Sequence, residues 1–413
     1  MRRIQIPLVI VAVAAIAAIY GWAVVATTPA HPGAIGLNLN ALGVEWTVFY
    51  TGARWFFDGH LGALFDGARF TAHLNSTFAG LLSHPSPFRP WVYPPSYLLL
   101  VLPFGLLPFV ASYLIFELAT AALLGAALWF DADRPNSRTF VIAASLLGPA
   151  ASMNFGIGEN AFLIGALLVG GFRVLPVRPV LGGVILSVLA IKPQFWIMAP
   201  VALIAARQWR ALVWSIVAAA ALAAASAAVF GLGLWWQWLH LALVGYWQAN
   251  ATWVEAARIW GTSVYASLIA IGLPGRFANA GQAAATLLAA GLTYLAFRRP
   301  VSNDRKIAVL LACVILAAPH SSINDLILLS IAAALWSAEA IEDGAPLAQW
   351  TLALAMWLAM LFNPPLVSPA GRLTPLLILM FVGMLLTRAG RRAHPALGAA
   401  AVPHPPGELA AEK

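Results

Sequence analysis

Charged side chains are scarce in this sequence, and their scarcity limits the class of protein. Asp, Glu, Lys and Arg together make up 9% of the 413 residues, whereas about 25% is typical of a soluble globular domain. So few charges cannot cover a water-exposed surface, and a soluble globular domain is therefore excluded. Hydrophobic residues account for 62% of the chain. Most of the surface must face lipid, and the chain is predicted to be an integral membrane protein.

The sequence contains one cysteine, Cys313, within an apolar run. A single cysteine excludes an intrachain disulfide, and a lone buried thiol is more often a small core residue than a nucleophile. The spacings C-x-x-C and H-E-x-x-H are absent, as is a glycine-rich phosphate loop. We therefore expect no metal, no cofactor and no nucleotide site.

Acidic residues are outnumbered by basic ones, 15 to 23, which gives a net charge of +8. The arginines cluster in short loops between apolar runs, which is how cytoplasmic loops orient membrane helices. Membrane topology therefore explains the charge, and no nucleic-acid partner is expected.

What the sequence does contain is a series of apolar runs near the length that crosses a bilayer. They predict an all-α polytopic membrane protein with about twelve transmembrane helices. The first run follows Met1-Arg2-Arg3, and we interpret it as an uncleaved helix rather than a signal peptide. The predicted spans are 6–27, 94–108, 110–130, 139–154, 159–174, 180–205, 211–231, 277–297, 306–318, 323–338, 348–362 and 373–388.

An even number of spans places both chain ends on one side, and the arginines near each end indicate the cytoplasm. The transmembrane domain is then 1–392, with extracytoplasmic loops at 28–92 and 231–276 and a disordered cytoplasmic tail at 393–413. The second loop is rich in Trp, which favours the membrane interface, and 261–273 is predicted to be a short interfacial helix. We expect a multi-pass protein of the plasma (inner) membrane. The predicted number of spans also places four arginines on the extracytoplasmic side, although basic loops usually face the cytoplasm. The predicted topology is therefore weakest around these residues: Arg134, Arg138, Arg173 and Arg178.

The first outer loop carries a carboxylate with aromatic neighbours, Glu45, soon after the first predicted helix. Such a side chain can be partly desolvated and still be reached by a polar substrate, which suits a general base. Tyr50 and Arg54 lie on the same segment. Asp58 and Asp66 are alternatives to Glu45, and an isolated Glu in a loop is commonly only a solvated acid.

Ionisable residues within apolar runs are the sharper signal, because each is costly in hydrocarbon and usually faces a cavity or a partner. Lys192 is predicted to lie in mid-helix, beside a proline and Gln194. Asn160 follows Glu159 at the start of the fifth helix, a pattern that an ordinary capped helix end also explains. Tyr93 precedes two prolines, which suit either a rigid helix start or a cavity wall.

A short polar turn separates the ninth and tenth predicted helices on the outer side. It contains His320 and Asp325. A lone His is more often structural than catalytic, but His and Lys side chains are suited to binding phosphate. The turn lies at the membrane face where Glu45 is expected.

Taken together, these blocks resemble glycosyltransferase family 87, the polyprenyl-phosphate-mannose-dependent mannosyltransferase type within the GT-C superfamily. The resemblance covers roughly residues 40 to 335 and rests on the order and spacing of the blocks. Where the family usually has Asp at the catalytic position this chain has Glu45, and where it has Gln before Asn this chain has Glu159. The matching stretches are Glu45 to Arg54 with Gly59 and Phe65-Asp66, Tyr93-Pro94-Pro95 with Leu102-Pro103 and Leu107-Pro108, Gly158-Glu159-Asn160, Lys192-Pro193-Gln194, and Pro319-His320 through Asp325-Leu326.

The resemblance implies a GT-C fold with a large first outer loop, and an inverting hexosyltransferase that uses a lipid-phosphate-linked sugar. Mannose, a polyprenyl-phosphate donor and a lipid-linked or envelope glycan acceptor are implied in the same way. In such a transfer Glu45 is the base, and the anionic leaving group needs charge stabilisation rather than a general acid. The groups expected to bind the donor phosphate are Lys192, His320 and Arg54, and those expected to line the cavity are Tyr50, Tyr93, Asn160, Gln194 and Asp325.

Two other functions fit parts of the pattern. A transporter or lipid flippase often shows inverted repeats and helices broken near the midplane, and Lys192 beside Pro193 fits that reading, whereas the missing repeat and the long polar first loop do not. A non-catalytic scaffold in envelope assembly is the third. The enzymatic reading requires that Glu45, Lys192 and His320 converge on one pocket at the outer leaflet.

Overall fold

The structure is a computed structural model that describes residues 42–82, 85–86, 88–245, 260–362 and 373–388. The first predicted span, 6–27, and the predicted disordered tail, 393–413, lie outside the described residues. The described part is helical, with one isolated antiparallel bridge between Gly261 and Ser322. In chain order the α-helices are α1 (Trp46–Phe57), α2 (Gly67–Thr77), α3 (Pro95–Val101), α4 (Phe109–Trp129), α5 (Arg138–Leu146), α6 (Pro149–Ile157), α7 (Ala161–Val174), α8 (Pro179–Ser187), α9 (Pro193–Trp196), α10 (Met198–Ala205), α11 (Trp209–Phe230), α12 (Leu232–His240), α13 (Val264–Ala270), α14 (Gly275–Arg298), α15 (Asn303–Ala317), α16 (Ile327–Asp343), α17 (Leu347–Trp357) and α18 (Thr374–Arg388).

Short 3₁₀ or π turns extend several of these helices. Proline stands at the first helical position of α3, α6, α8 and α9, where its missing N–H has no intrahelical partner. Ser263 and Ser302 cap α13 and α15 through their side chains. The turns are Leu61–Ala63, Leu102–Leu106, Pro135–Ser137, Val188–Ile191, Leu241–Gly245, Ile323–Leu326 and Ala359–Phe362.

Four of the described helices are long and apolar enough to cross a membrane: α4, α11, α14 and the combined segment Ile323–Asp343. A fifth crossing exists if Pro135–Leu146 and Pro149–Ile157, bent by 51°, form one span. The protein is therefore a helical membrane protein. The predicted number of twelve spans is not confirmed, because several predicted spans correspond to helices that are shorter or broken.

The helix ends fall into two groups, which we name by one residue of each. At the Arg173 end, Arg173 at the last turn of α7 pairs with Asp304 at the first turn of α15 at 2.5 Å. Arg134, before α5, pairs at the same end with Asp343 at the end of α16 at 2.5 Å. At the Glu45 end, the backbone N–H of Glu45 bonds to the carbonyl of Ile157 at the end of α6 at 2.7 Å.

The predicted span 94–108 does not cross from one end to the other. Tyr93, before α3, donates a hydrogen bond to Glu159 at 2.9 Å. Leu107, just after the helix, accepts one from Tyr50 of α1 at 3.0 Å. Both ends of the segment therefore lie at the Glu45 end, and its paired prolines start a short helix that returns to its own side.

The predicted span 180–205 is a helical hairpin instead of one helix, and Lys192 lies at its apex rather than in mid-helix. The chain breaks between Val188–Ile191 and α9, with Lys192 at φ −134° and ψ 74°. Pro179 at the start and Arg207 after the end line the same cavity. The hairpin therefore enters from the Arg173 end and returns there, because Pro193 cannot continue the first helix.

These two findings correct the predicted topology. The predicted topology treats each of these two segments as one crossing. When neither crosses, every loop between them lies at the end of the bundle opposite to the predicted one. The four arginines predicted to lie outside then fall at the Arg173 end with the other basic loops, and the turn at Glu159 falls at the Glu45 end. The four arginines therefore agree with the rule that basic loops share one side of the membrane; the apparent exception came from the predicted number of crossings.

Candidate functional site

Glu45 immediately precedes α1 and is tied by its backbone to the turn between α6 and α7. Its N–H bonds to Ile157 as described, and the N–H of Gly43 bonds to the carbonyl of Gly156 at 2.9 Å. Gly158 has φ +77°, and a Cβ there would lie 2.7 Å from the Cβ of Trp46. The close approach of Gly158 to Trp46 therefore requires glycine. This contact places Glu45 next to the turn that carries Glu159 and Asn160.

The Glu45 side chain forms an ion pair that sequence reasoning missed. Arg89 Nη1 lies 2.5 Å from Glu45 Oε1, and the two side chains are 21% and 29% exposed. Arg89 is held by Ser86, which accepts from its Nε at 3.2 Å, and by Thr71, which accepts from its backbone N–H at 2.9 Å. One signal was available in the sequence: Arg89 is the only Lys, Arg, Asp or Glu between Arg69 and Glu117.

Lys192 lies at the centre of a buried cluster of polar side chains. Its Nζ is 2.9 Å from Asp325 Oδ1, 3.3 Å from Asn160 Oδ1 and 3.5 Å from Glu159 Oε1. An ammonium group has three donors, so the protein itself can occupy all of them. Nζ also lies 4.9 Å from the ring centroid of Phe195. The hairpin apex therefore brings together Lys192, Asn160 and Asp325; their predicted roles in binding phosphate and lining a cavity stay predictions.

Glu159 connects the Lys192 cluster to the Glu45 side. It accepts a hydrogen bond from Tyr93 at 2.9 Å, and the charge of Glu45 is close enough to act on it. The ring of Tyr93 lies 5.3 Å from that of Phe49 and 4.6 Å from that of Tyr97. Aromatic rings therefore border the carboxylates; that Tyr93 lines a cavity stays a prediction.

Asp325 is oriented by the turn that precedes it. Its Oδ2 accepts from the backbone N–H of Ser322 at 2.9 Å, in a capping box. Ser322 also pairs with Gly261 in the isolated bridge, and the backbone N–H of Thr262 donates to the carbonyl of Ser321 at 2.9 Å. The start of Ile323–Leu326 is therefore anchored to the segment before α13, which fixes the carboxylate beside Lys192.

Glu117 and Asn154 support the turn from behind. Both are fully buried, and Asn154 Nδ2 donates to Glu117 Oε2 at 3.1 Å. Asn154 Oδ1 accepts from the backbone N–H of Ala161 at 3.0 Å, and its carbonyl accepts from the N–H groups of Gly158 and Glu159. Asn154 was not predicted; its signal is a polar residue at the end of an apolar run.

The cluster lies within the depth of the bundle. From Glu117 to Trp129, α4 rises about 18 Å, and from Phe109 to Glu117 it rises about 12 Å more. Because Glu117 is level with the start of α7, the cluster lies about 18 Å from the Arg173 end, within a hydrocarbon layer about 30 Å thick. Helices that stop at the cluster, such as α7 with 14 residues, rise only about 21 Å and are shorter than the hydrocarbon layer.

Of the remaining predicted residues, Arg54 and Tyr50 make their contacts away from this cluster. Arg54 pairs with Asp58 at 2.9 Å and donates to the carbonyl of Gly105 at 3.4 Å. It follows Glu45 by nine residues, about half a turn out of phase, so it projects from the opposite side of α1. Tyr50 bonds to Leu107 rather than to the cluster. Gln194 is half-buried next to the apex.

His320 precedes the turn that holds Asp325, and its ring centroid lies 6.4 Å from that of Tyr265. The residue reaches the surface, yet the protein around it desolvates the imidazole and lowers its pKa. Desolvation therefore favours the neutral form of the side chain in the folded protein.

The arrangement combines a half-exposed carboxylate with a buried cluster in which carboxylates outnumber the ammonium group. If all are ionised, Glu159 and Asp325 bear two negative charges around the single positive charge of Lys192. A helical membrane protein with a carboxylate at the mouth of such a cluster has the parts for acid–base chemistry at membrane depth.

The sequence model of Glycosyltransferase family 87 matches residues 91–322, which is more than half of the chain. The protein belongs to Glycosyltransferase family 87 and is a membrane glycosyltransferase. The match includes Tyr93, Asn160, Lys192, Gln194 and His320, whereas Glu45, Arg54 and Asp325 lie outside it. Comparison with curated proteins and with solved structures found no match.

Proposed function

We propose that the protein transfers a hexose, with mannose as the expected sugar, from a polyprenyl-phosphate donor to a lipid-linked or envelope glycan. The observation that carries this proposal is the convergence of Glu45 with the Lys192 cluster through the turn at Glu159. Family membership supports glycosyl transfer, and the depth of the cluster suits a substrate whose polyprenyl tail stays in lipid. The donor class and the sugar come from the family resemblance.

In the proposed mechanism Glu45 is the general base. The acceptor hydroxyl attacks the anomeric carbon while its proton passes to the carboxylate, and the bond from that carbon to the phosphate oxygen breaks on the opposite face. The electron pair leaves with the polyprenyl phosphate, so the configuration is inverted through an oxocarbenium-like state. Arg89 engages Oε1 of Glu45, which leaves Oε2 to receive the proton.

The leaving phosphate needs positive charge or hydrogen-bond donors, and we propose that Lys192, His320 and Arg54 provide them. For Lys192 this requires an exchange of partners, because its donors face Asp325, Asn160 and Glu159. We add Arg89 to this group, since it is the cation in contact with Glu45. Arg54 projects from the opposite side of α1 and would have to leave Asp58 to reach the phosphate. His320 would act as a hydrogen-bond donor.

We propose that the Glu45 end is extracytoplasmic and that the protein spans the plasma (inner) membrane. The corrected topology supports this, because most of the described Arg and Lys residues lie at the Arg173 end, and basic loops face the cytoplasm. The active site would then open to the outer leaflet.

A transporter or lipid flippase is the alternative, and the broken helix at Lys192 is a feature that such proteins share. Family membership favours the enzyme. Uptake of sugar into vesicles without formation of a glycoside would support the transporter. A scaffold without activity would give neither result.

The test uses cells that lack the protein and are complemented with variants, followed by mass analysis of lipid-linked glycans. Glu45→Gln should reduce product formation by about 10²–10⁴-fold, the range expected for loss of a general base, while protein level and unfolding temperature stay unchanged. Near-normal product would exclude Glu45 as the base. In that case Asp58→Asn and Asp66→Asn test the two alternatives.

Asp131→Asn is the matched control. Asp131 is exposed at the Arg173 end and has φ 46°, a conformation that Asn also tolerates. It removes the same charge without approaching the site, so its product should match the wild type.

A further inference from the structure

A second basic site lies at the Arg173 end, far from the Glu45 cluster. Residues of the α8 start and of the turn into α11 line a cavity of about 370 Å³: Pro179, Arg207, Gln208, Trp209 and Arg210. Two arginines and a tryptophan therefore line one cavity at the point where a long membrane helix begins.

The two arginines of this cavity differ from others at the same end. Arg134 pairs with Asp343, Arg173 with Asp304, and Arg305 with Glu339. Arg207 and Arg210 are exposed, and neither forms an ion pair with any residue that the structure describes. The sequence supplies no candidate nearby, since no Asp or Glu occurs between Glu159 and Glu255.

The backbone at Arg207 is strained in a way that its side chain does not explain. The N–H of Gln208 bonds to Leu203 and that of Arg207 to Ile204, the pattern of a Schellman motif. Arg207 has φ 56°, the left-handed conformation for which glycine is the usual residue at this position. A strained backbone that persists points to a use for the side chain.

An apolar wall continues from the cavity along α11. Few residues of this helix are buried, namely Ala211, Ser215 and Ser226. Trp209, Val213 and Val217 are 57%, 56% and 49% exposed and follow one another at a spacing of four, so they lie along one face of the helix. The wall has the hydrophobic character of a surface that contacts acyl chains.

We propose that this cavity binds the headgroup phosphate of an anionic phospholipid, with its acyl chains along the exposed face of α11. Arginine forks match phosphate geometry, Trp favours the interfacial layer, and basic pockets between membrane helices hold anionic headgroups. The site is independent of the proposed transferase chemistry, because it lies at the opposite end of the bundle.

The test measures lipid retained by the purified full-length protein in detergent, by native mass spectrometry after addition of phosphatidylglycerol or phosphatidylcholine. Wild type should retain phosphatidylglycerol preferentially. The double variant Arg207→Gly/Arg210→Gln should retain at least about 5-fold less. Its unfolding temperature without lipid should not fall, since glycine relieves the strain at position 207. This pairing of unchanged stability with lost binding separates a binding role from a structural one.

Arg276→Gln is the matched control, because Arg276 is an exposed arginine in the first turn of α14 at the other end. It should retain lipid like the wild type. Equal retention by the double variant, or equal loss in Arg276→Gln, would overturn the proposal. Displacement of the lipid by millimolar inorganic phosphate would show a free-phosphate site and would also overturn it.

Discussion

Arg173 and Lys192 are both buried cations that face an aspartate from another helix, yet their surroundings differ. Arg173 is 1% exposed; its Nε and Nη2 bond to Asp304, and its Nη1 bonds to carbonyls at the end of α4. One carboxylate contacts the guanidinium directly, and backbone carbonyls take the remaining donors. A second carboxylate, Asp133, lies beyond it and accepts from the backbone N–H of Asp304 at 2.5 Å. Lys192 meets Asp325 and Glu159 together, and Glu159 in turn bonds to Tyr93.

We propose that this difference separates a structural ion pair from a functional cluster. All the donors of Arg173 are taken by Asp304 and by backbone carbonyls of the segment after α4 and its last turn, so the pair holds α7 against α15. The Lys192 cluster has two carboxylates around one ammonium group, and one of them, Glu159, lies on the turn to which the backbone of Glu45 is tied. The proposed function therefore assigns stability to the Arg173 pair and chemistry to the Lys192 cluster.

The comparison is tested most directly by replacing the aspartate with asparagine in each of the two groups. Asp304→Asn leaves Arg173 without its carboxylate and should lower the free energy of unfolding by about 3–5 kcal/mol, the cost of an uncompensated buried charge. Asp325→Asn leaves Lys192 with Glu159, so the loss should be about 1–3 kcal/mol. Thermal unfolding of the purified variants measures both.

Activity should show the opposite order. Product per folded molecule should stay near the wild-type value in Asp304→Asn and fall about 100-fold in Asp325→Asn, as for loss of a group that acts with charged partners. Equal losses of stability, with activity spared in both, would contradict the assignment of the Lys192 cluster to the site.

A second substitution sharpens the role of Arg89. Because the Glu45–Arg89 pair is a fifth to a third exposed, Arg89→Gln should change the free energy of unfolding by less than about 1 kcal/mol. Transfer should fall about 10–100-fold, and Arg89→Lys should recover part of it, since lysine keeps the charge but loses the planar fork. The measurement is kcat/KM with a polyprenyl-phosphate hexose.

Arg69→Gln is the control for this experiment. Arg69 lies on α2, in the same segment between α1 and α3 as Arg89, and is exposed, so its loss removes an equal charge away from Glu45. A similar decrease in both variants would show a general effect of charge rather than a role for the ion pair.

The smallest expected effect is the pH dependence caused by His320. Its pKa in the folded protein is lowered from 6.5 by desolvation, so the unfolded chain binds a proton more readily. The stability that the neutral side chain provides is present above pH 6.5 and is lost as pH falls through the lower folded pKa. Wild type should therefore lose more unfolding temperature between about pH 7 and 5 than His320→Gln. A parallel decline in both would contradict a desolvated His320.

Much of the bundle could be predicted from the sequence because each long helix corresponds to a local run of hydrophobic residues. The segments 110–130, 211–231 and 277–297 agree with α4, α11 and α14 within about two residues. Family membership was also predicted, from the order and spacing of short motifs along the chain. Hydrophobic runs report that a helix forms, but they do not report where its ends lie relative to the other helices.

That limit explains the two errors of topology and the missed residues. Whether 94–108 returns to its own side depends on contacts of Tyr93 and Leu107 with α1 and Glu159. Pro193 signals a break, but whether the chain continues or reverses after it depends on packing. Arg89 was missed because its partner, Glu45, lies 44 residues away.

The sequence by itself determined a membrane protein of many helices with basic loops at one end, since these features follow from local hydropathy and charge. It also determined which ionisable side chains are too costly to lie in lipid without partners. Tertiary structure decided which of them meet: Lys192 reaches Asp325 and Glu159 only because a hairpin apex and two helix starts end at the same depth. Such coincidences depend on packing between distant segments, and no periodicity in the chain encodes them directly.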